Sequence, residues 1–427
     1  MYKAAVIGAG STYTPELIEG FTDHMETLPF DSIALMDIDP ERLEIVGGLA
    51  RRQLEKCGYR GQITKTCELD RALEGASFVF AQIRVGRMAA RIRDEKIPLR
   101  YGLLGQETTG AGGFAKALRT IPAVMNIAQR MKQLAADNAW LINFSNPSGI
   151  IAEAVLNNTN INMIGLCNCP IGMVKGIADA LGTTAFDYEY AGLNHLSWIT
   201  SVIPHGSEKD IVGQLVLSGD AKNQMKNVPG IDYDPELLRA VPYIPSSYLS
   251  YFYAREAQVK KCLSAEKTRG EICLELDEQM LRQYADPELT VKPPELALRG
   301  GALYSTAAIS AAESIANDKR ELHVVAAKNN GAIPFMADDD VVEVLCELGR
   351  TSVTPQPVKA RNEYMKGLMQ AVKSYEKLTV QAALTGDRGA ALAALMVHPL
   401  IGDYAKAAPL LEDLLAANRE FLPEFFK

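Results

Sequence analysis

Short apolar runs alternate with longer amphipathic stretches through the first part of the chain. Runs at 4–7, 32–37, 63–66, 78–84, 140–144 and 163–167 predict strands. Stretches at 14–28, 41–56, 114–136, 148–158 and 171–181 repeat their apolar positions with helical spacing. That alternation predicts βαβ units and a mostly parallel sheet. Between 185 and 203 the alternation tightens through Phe186, Tyr188, Tyr190, Leu196, Trp198 and Thr200, which predicts antiparallel strands. From about 230 onward the pattern is mainly helical, with segments at 235–240, 246–264, 271–284, 305–316, 338–346, 358–375, 378–386, 389–396 and 404–419. Pro-rich breaks at 242–245 and 287–294 separate groups of helices. The expected fold is α/β. A Rossmann-type parallel sheet over 1–170 is followed by a mainly helical α+β domain over 171–427, with the boundary somewhere between 170 and 200.

Composition narrows the function classes. The 427 residues are 48% hydrophobic and 22% charged, enough apolar material for two or three cores. Asp plus Glu exceeds Lys plus Arg by 52 to 44, and no basic stretch stands out, so a nucleic-acid partner is not expected. No apolar run reaches the roughly 18–20 residues of a membrane span. The first run ends in glycines and lacks a cleavage pattern, so it reads as a strand rather than a signal peptide. Seven cysteines are an odd number in a long chain. They predict no disulfide framework and a reducing, cytoplasmic setting.

Gly8-Ala9-Gly10-Ser11 follows the first strand and opens a helical segment. Glycines there permit a tight turn and let the backbone approach a pyrophosphate at a helix N-terminus. Tyr13 stands where the third glycine of the full fingerprint belongs. The second strand ends in Asp37-Ile38-Asp39, where a carboxylate meets a ribose 2′-hydroxyl and repels a 2′-phosphate, which favours NAD over NADP. The spacing from Gly10 to Asp37 is longer than the usual ~20 residues, and the segment 22–30 is expected to absorb the excess.

Cys167-Asn168-Cys169-Pro170 follows another apolar strand, and residues 143–149 end the preceding one with a polar run. Ligands in open α/β sheets gather at the carboxyl ends of strands, so the two polar ends are expected to face one cleft. Gly192-Leu193-Asn194-His195 follows. Cys167 and His195 offer a thiolate and an imidazole, a donor set that suits a borderline divalent metal and leaves positions open for substrate. The same residues also read as a buried core cysteine and a satisfied polar histidine.

The motifs 8–17, 101–110, 143–149, Cys167-Asn168-Cys169-Pro170, Gly192-Leu193-Asn194-His195, Arg299-Gly300-Gly301 and Asn329-Asn330-Gly331 occur in one order. In that combination the chain resembles glycoside hydrolase family four nearly end to end, in particular its 6-phospho-β-glucosidases, an NAD-dependent exception among glycosidases. The resemblance implies oxidation of the sugar at C3 by NAD, removal of the acidified C2 proton, elimination of the aglycone, water addition and re-reduction. It also implies a divalent metal, usually Mn²⁺, at O2 and O3. Carried over, Gly8, Gly10, Ser11, Thr12 and Asp37 bind the cofactor, and Cys167 and His195 hold the metal. Tyr248 is the base, although its surroundings depart from the more common Asn-Pro-Tyr pattern. A tyrosine with an ordinary pKa near 10 must be acidified for that task. Arg91 grips the 6-phosphate with a bidentate fork, with Arg269 as a second contact, and Asn146 and Asn168 bind the sugar. α-Specific relatives carry an acid where Asn168 stands, so β-linked substrates are expected, either a phosphorylated disaccharide or an aryl-β-glucoside 6-phosphate. Glu107 lies near the cofactor in the family pattern without an assigned role. A homodimer or homotetramer follows from resemblance alone. The competing reading is an NAD-dependent dehydrogenase on the lactate/malate dehydrogenase-like fold, which this family shares.

Overall fold

The computed structural model describes residues 2–219, 234–299, 304–360 and 362–427. The N-terminal strands form as β1 (Tyr2–Ile7), β2 (Phe30–Met36), β3 (Gln62–Thr66), β4 (Phe78–Ala81), β5 (Trp140–Asn143) and β6 (Asn162–Gly165). They pair in parallel in the order β3-β2-β1-β4-β5-β6. That is the order of a doubly wound dinucleotide fold, with its switch point between β1 and β4. Val6, Ala34, Phe80, Ile142 and Ile164 are wholly buried, as the apolar runs of strands covered on both faces demand. The expected helices form at Thr14–Asp23, Pro40–Lys56, Gly110–Leu134, Ser148–Asn158 and Cys169–Leu181. The helix Pro40–Lys56 begins where the Asp39 carboxylate accepts the amides of Glu41 and Arg42.

The dense alternation becomes a hairpin of β7 (Phe186–Leu193) and β8 (Leu196–Pro204), edged by β9 (Ile244–Pro245). β9 falls in the expected Pro-rich break, and three longer strands were also not foreseen: β10 (Glu321–Lys328), β11 (Val341–Gly349) and β12 (Ser352–Pro355). The helix expected at 338–346 is therefore a strand. Val341, Val342, Val344, Leu345 and Cys346 are buried in mid-sheet, and a continuous apolar run with β-branched residues fits a central strand as well as a helix. β10 lies antiparallel to β6 where Ala326 meets Gly165, and the path continues through β11, β7, β8 and β9, with β12 on β11. The two halves thus share one sheet, in which twelve strands are described.

Other boundaries shift for local reasons. The strand expected over 78–84 ends at Ala81, and an unforeseen helix, Arg87–Leu99, starts after the left-handed Gly86. The helix expected at 246–264 divides into Ser247–Leu249, Ser250–Tyr253 and Arg255–Ser264, with the break at Ala254. Helices expected at 358–375 and 378–386 are one helix, Glu363–Thr385. Gly300 and Gly301 of the Arg299 motif lie outside the described residues. Among the described residues no helix is long and apolar enough to cross a membrane.

Candidate active site

The carboxyl ends of β1, β4, β5 and β6 open onto one cavity of about 1180 Å³. Gly8, Gly10, Ser11 and Asp37 line one part of it, and Arg91, Asn146, Asn168, Tyr248 and Arg269 another. Residues from the C-terminal half, Tyr248, Tyr251, Arg269 and Arg299, close the far side.

The glycine turn is built by close approach. Gly8 takes φ +92°, and a Cβ there would lie 2.9 Å from the Gln82 carbonyl oxygen. A Cβ on Gly10 would lie 2.8 Å from Asp37 Oδ2, the same oxygen that accepts the Gly10 amide at 2.8 Å. Asp37 Oδ1 accepts the Asp39 amide at 3.0 Å. The carboxylate at the second strand end therefore shapes the turn and lines the cavity together. This cradle, which side chains would fill, fits a dinucleotide. The long Gly10–Asp37 spacing is taken up by the turn after the helix Thr14–Asp23, where Thr27 and Leu28 amides donate to the His24 carbonyl.

The Thr12 side chain, expected at the cofactor, is engaged within the protein instead. It is wholly buried and does not line the cavity. Its hydroxyl donates to Asp277 Oδ1 at 2.7 Å and accepts from Arg299. Asp277 also pairs with Arg42 at 2.8 Å, and Arg42 Nε donates to the Gly10 carbonyl at 3.0 Å. Burial pushes the Asp277 carboxyl up, but the Arg299 and Arg42 charges outweigh it and hold it below the usual range. The helix Arg269–Tyr284 from the C-terminal half thereby clamps the turn.

Arg91 is 8% exposed, and its fork is not free as expected. Nε binds Glu95 Oε1 at 2.8 Å and Nη1 binds Glu107 Oε1 at 3.0 Å. Glu95 in turn accepts the Gly270 amide at 2.6 Å, which brings the start of the helix Arg269–Tyr284 against Arg91. Arg269 Nη2 donates to the carbonyls of Leu298 and Arg299. Glu107, left without a role by the sequence, is the hub of this corner. Its carboxylate meets Arg84 at 2.5 Å, Lys116 at 2.8 Å and Arg91. Burial alone would push it up, but those cations hold it well below the usual carboxylate range. The guanidinium groups of Arg84, Arg91 and Arg269 line this part of the cavity with the carboxylates of Glu95 and Glu107, so the corner keeps a surplus positive charge that suits an anionic ligand. Lys116 was missed. Its one signal is a lone charge in the Gly- and Ala-rich start of an apolar helix. Burial and the neighbouring Arg84 push its ammonium down to about 7.

Asn143, buried, bonds Ser145 through both amide atoms and so supports the loop, while Asn146 and Asn168 reach the cavity. Cys167 and His195 do not line it but lie directly behind residues that do. Cys167, 5% exposed, accepts the Cys169 amide at 3.4 Å, and the Asn194 side chain hydrogen-bonds its sulfur. Burial and Glu343 push its thiol well up. His195 takes φ +66°, bonds Thr108 through Nδ1 at 2.9 Å and stacks on the Tyr248 ring. Burial and the Lys116 charge push its imidazole down to about 3, so it is neutral and able to donate a lone pair. Among the described residues no cluster of three or more His, Cys, Asp or Glu could hold a metal. Asn194, whose side chain bonds the Cys167 sulfur, directly precedes His195 in the chain, and a thiolate with a neutral imidazole is a donor set that suits a divalent metal with positions left open.

The family model "Family 4 glycosyl hydrolase" matches residues 3–183, and "Family 4 glycosyl hydrolase C-terminal domain" matches 190–401. A probable 6-phospho-beta-glucosidase of Bacillus subtilis (strain 168) is 41% identical over 99% of this chain and 98% of its own. The structure of a 6-phospho-beta glucosidase from Thermotoga maritima with manganese, NAD⁺ and glucose-6-phosphate is 33% identical, covers 99% of both chains and superposes with a TM-score of 0.89. A malate dehydrogenase from Plasmodium falciparum, 14% identical with a TM-score of 0.53 over 90% of this chain, shares the fold alone.

Proposed function

The chain belongs to the family 4 glycosyl hydrolases, and on that premise we propose that it hydrolyses 6-phospho-β-glucosides using NAD and a divalent metal such as Mn²⁺. One observation carries this reading. A single cavity joins a dinucleotide turn, a tyrosine stacked on a neutral histidine, and a cationic corner.

When bound, the dinucleotide supplies reversible hydride acceptance at sugar C3, and the metal, held by Cys167 and His195, supplies Lewis acidity at O2 and O3. Arg91 and Arg269 hold the 6-phosphate at the cationic corner, with Glu107 keeping the three cations in place until the phosphate arrives. Asn146 and Asn168 hydrogen-bond the sugar hydroxyls. Asp37 accepts the ribose 2′-hydroxyl and sets the turn. Tyr248 Oη removes the C2 proton once C3 is a ketone, and the aglycone oxygen leaves by elimination. Water then adds at C1, and the proton returns to C2 before C3 is reduced again. Asn168 carries no acidic proton, which suits an activated β-linked aglycone better than acid-assisted departure.

The test is a panel of 4-nitrophenyl glycosides, in both anomers, with and without the 6-phosphate, assayed with NAD and Mn²⁺. Release of nitrophenol from the β-linked 6-phosphate without net NADH supports the proposal. Accumulation of NADH in proportion to substrate consumed would indicate a dehydrogenase instead.

A further inference from the structure

We propose that Gln106 and Thr108 are positioning residues that fix the tautomer of His195, so that Nε2 is the nitrogen available to a metal. This rests on the metal role of His195 above, and it follows from hydrogen-bond roles that leave one consistent assignment.

Gln106 Oε1 accepts the amides of Thr108 at 2.6 Å and Thr109 at 2.7 Å. Backbone amides only donate, so the atom between them is the carbonyl oxygen, and a flipped side chain would set amide hydrogens against amide hydrogens. The same oxygen lies 3.0 Å from Thr108 Oγ1. Two lone-pair atoms at that distance repel, so the threonine hydrogen points at Gln106. Thr108 Oγ1 then has no hydrogen left for His195 Nδ1, 2.9 Å away. The oxygen accepts, and Nδ1 carries the proton. In a neutral imidazole the other nitrogen, Nε2, is then the lone-pair donor. Fixing a ligating histidine through its far nitrogen is how outer partners orient metal ligands.

The relay is held rigidly. A Cβ on Gly113 would lie 2.6 Å from the Thr108 carbonyl, and one on Gly112 would strike the Gln106 carbonyl oxygen. The glycines that open the helix Gly110–Leu134 thus let it pack against the Gln106–Thr109 turn. On the other side, Tyr248 covers the imidazole face.

The experiment uses full-length protein labelled with ¹⁵N-histidine, the His195 signals being assigned by their loss in His195→Asn. In the metal-free wild type, the His195 spectrum should show Nδ1 protonated and Nε2 bare. Thr108→Val keeps the shape but removes the relay oxygen. It should mix the tautomers and weaken Mn²⁺ binding, read by electron paramagnetic resonance of free Mn²⁺, by about tenfold. Thr108→Ser should restore both. A wild-type Nε2–H tautomer, or a Thr108→Val protein with unchanged tautomer and Mn²⁺ affinity, would overturn the relay. Unchanged Mn²⁺ affinity in His195→Asn would instead overturn the metal role of His195 on which the relay rests.

Discussion

The phenol ring of Tyr248 lies flat on the imidazole of His195, with ring centroids 3.7 Å apart and planes 5° apart. Both residues are nearly buried, at 7% and 6% exposure. The stack brings the proposed base against the proposed metal ligand, so one rigid pair sets the position of both relative to the sugar. A metal held there would stabilise the phenolate electrostatically, the acidification that a tyrosine base requires.

Tyr248→Phe keeps the ring and the stack but removes the oxygen. The fold and NAD binding should persist, while kcat falls by about 10²–10⁴-fold, the usual range for loss of a general base. Hydride transfer at C3 precedes the proton step, so a reduced-nicotinamide absorbance should appear on adding substrate without nitrophenol release. Full hydrolysis by the variant would remove Tyr248 from the mechanism.

Arg91 bridges the buried Glu95 and the part-buried Glu107, and Arg91→Ala therefore has two separable effects. Removing one partner from a buried pair costs about 3–5 kcal/mol, so the thermal unfolding temperature should fall. For the phosphorylated glycoside, kcat/KM should drop by about 30-fold or more, as truncated charge-assisted pairs do, with little change for the unphosphorylated one. Arg91→Lys keeps the charge and should recover stability ahead of selectivity, because an ammonium cannot reproduce the fork. Equal losses on both substrates would make Arg91 structural only.

Asp37 binds the turn through both oxygens. Asp37→Ala should weaken NADH and narrow its preference over NADPH by about tenfold, since the repulsion of the 2′-phosphate goes with the carboxylate. Dissociation constants from nucleotide fluorescence measure it, and an unchanged ratio would move the ribose contact elsewhere.

Glu343 lies behind the site, accepting from Tyr190 and Asn194 at 3.0 Å each. Burial pushes its carboxyl up to about 7 from an ordinary value of 4.5. The folded state therefore binds a proton that the unfolded state has already lost between those values. The stability that Glu343 contributes is complete below the unfolded value and is lost as pH rises through the folded one, by about 3 kcal/mol over the window. Glu343→Gln carries no such dependence. Urea unfolding near pH 4.5 and near pH 8 should show the variant gaining on the wild type at the higher pH. A constant difference would contradict the assignment.

Most N-terminal strands and helices were legible because short apolar runs alternate there with stretches of helical spacing and glycines punctuate them, whereas the helix Arg87–Leu99 was not foreseen. β11 was not, because its mostly apolar run of nine residues is long enough to read as a helix as well as a strand, and its pairing with β10 and β7 is a long-range fact. Cavity-lining residues at strand ends, such as Asp37, Asn146 and Asn168, were legible from position alone. The side-chain bond of Thr12 was not legible because its partner Asp277 lies far along the chain. Lys116, Glu107 and Arg84 work only as a group assembled from separate segments, and such a pairing leaves no local mark in a sequence. The Arg91–Glu95 pair has the one-turn spacing of a helix, but the second partner of the fork, Glu107, sits across a turn and was not legible.

The account stands most directly on whether the C2–H bond breaks. The measurement is turnover of 4-nitrophenyl β-glucoside 6-phosphate in D₂O with NAD and Mn²⁺, with the released sugar phosphate read by NMR. The elimination route predicts deuterium at C2, because the proton taken by Tyr248 exchanges with solvent before it is returned. Complete hydrolysis with hydrogen retained at C2 would contradict it and point to a carboxylate-pair glycosidase, which leaves that bond intact.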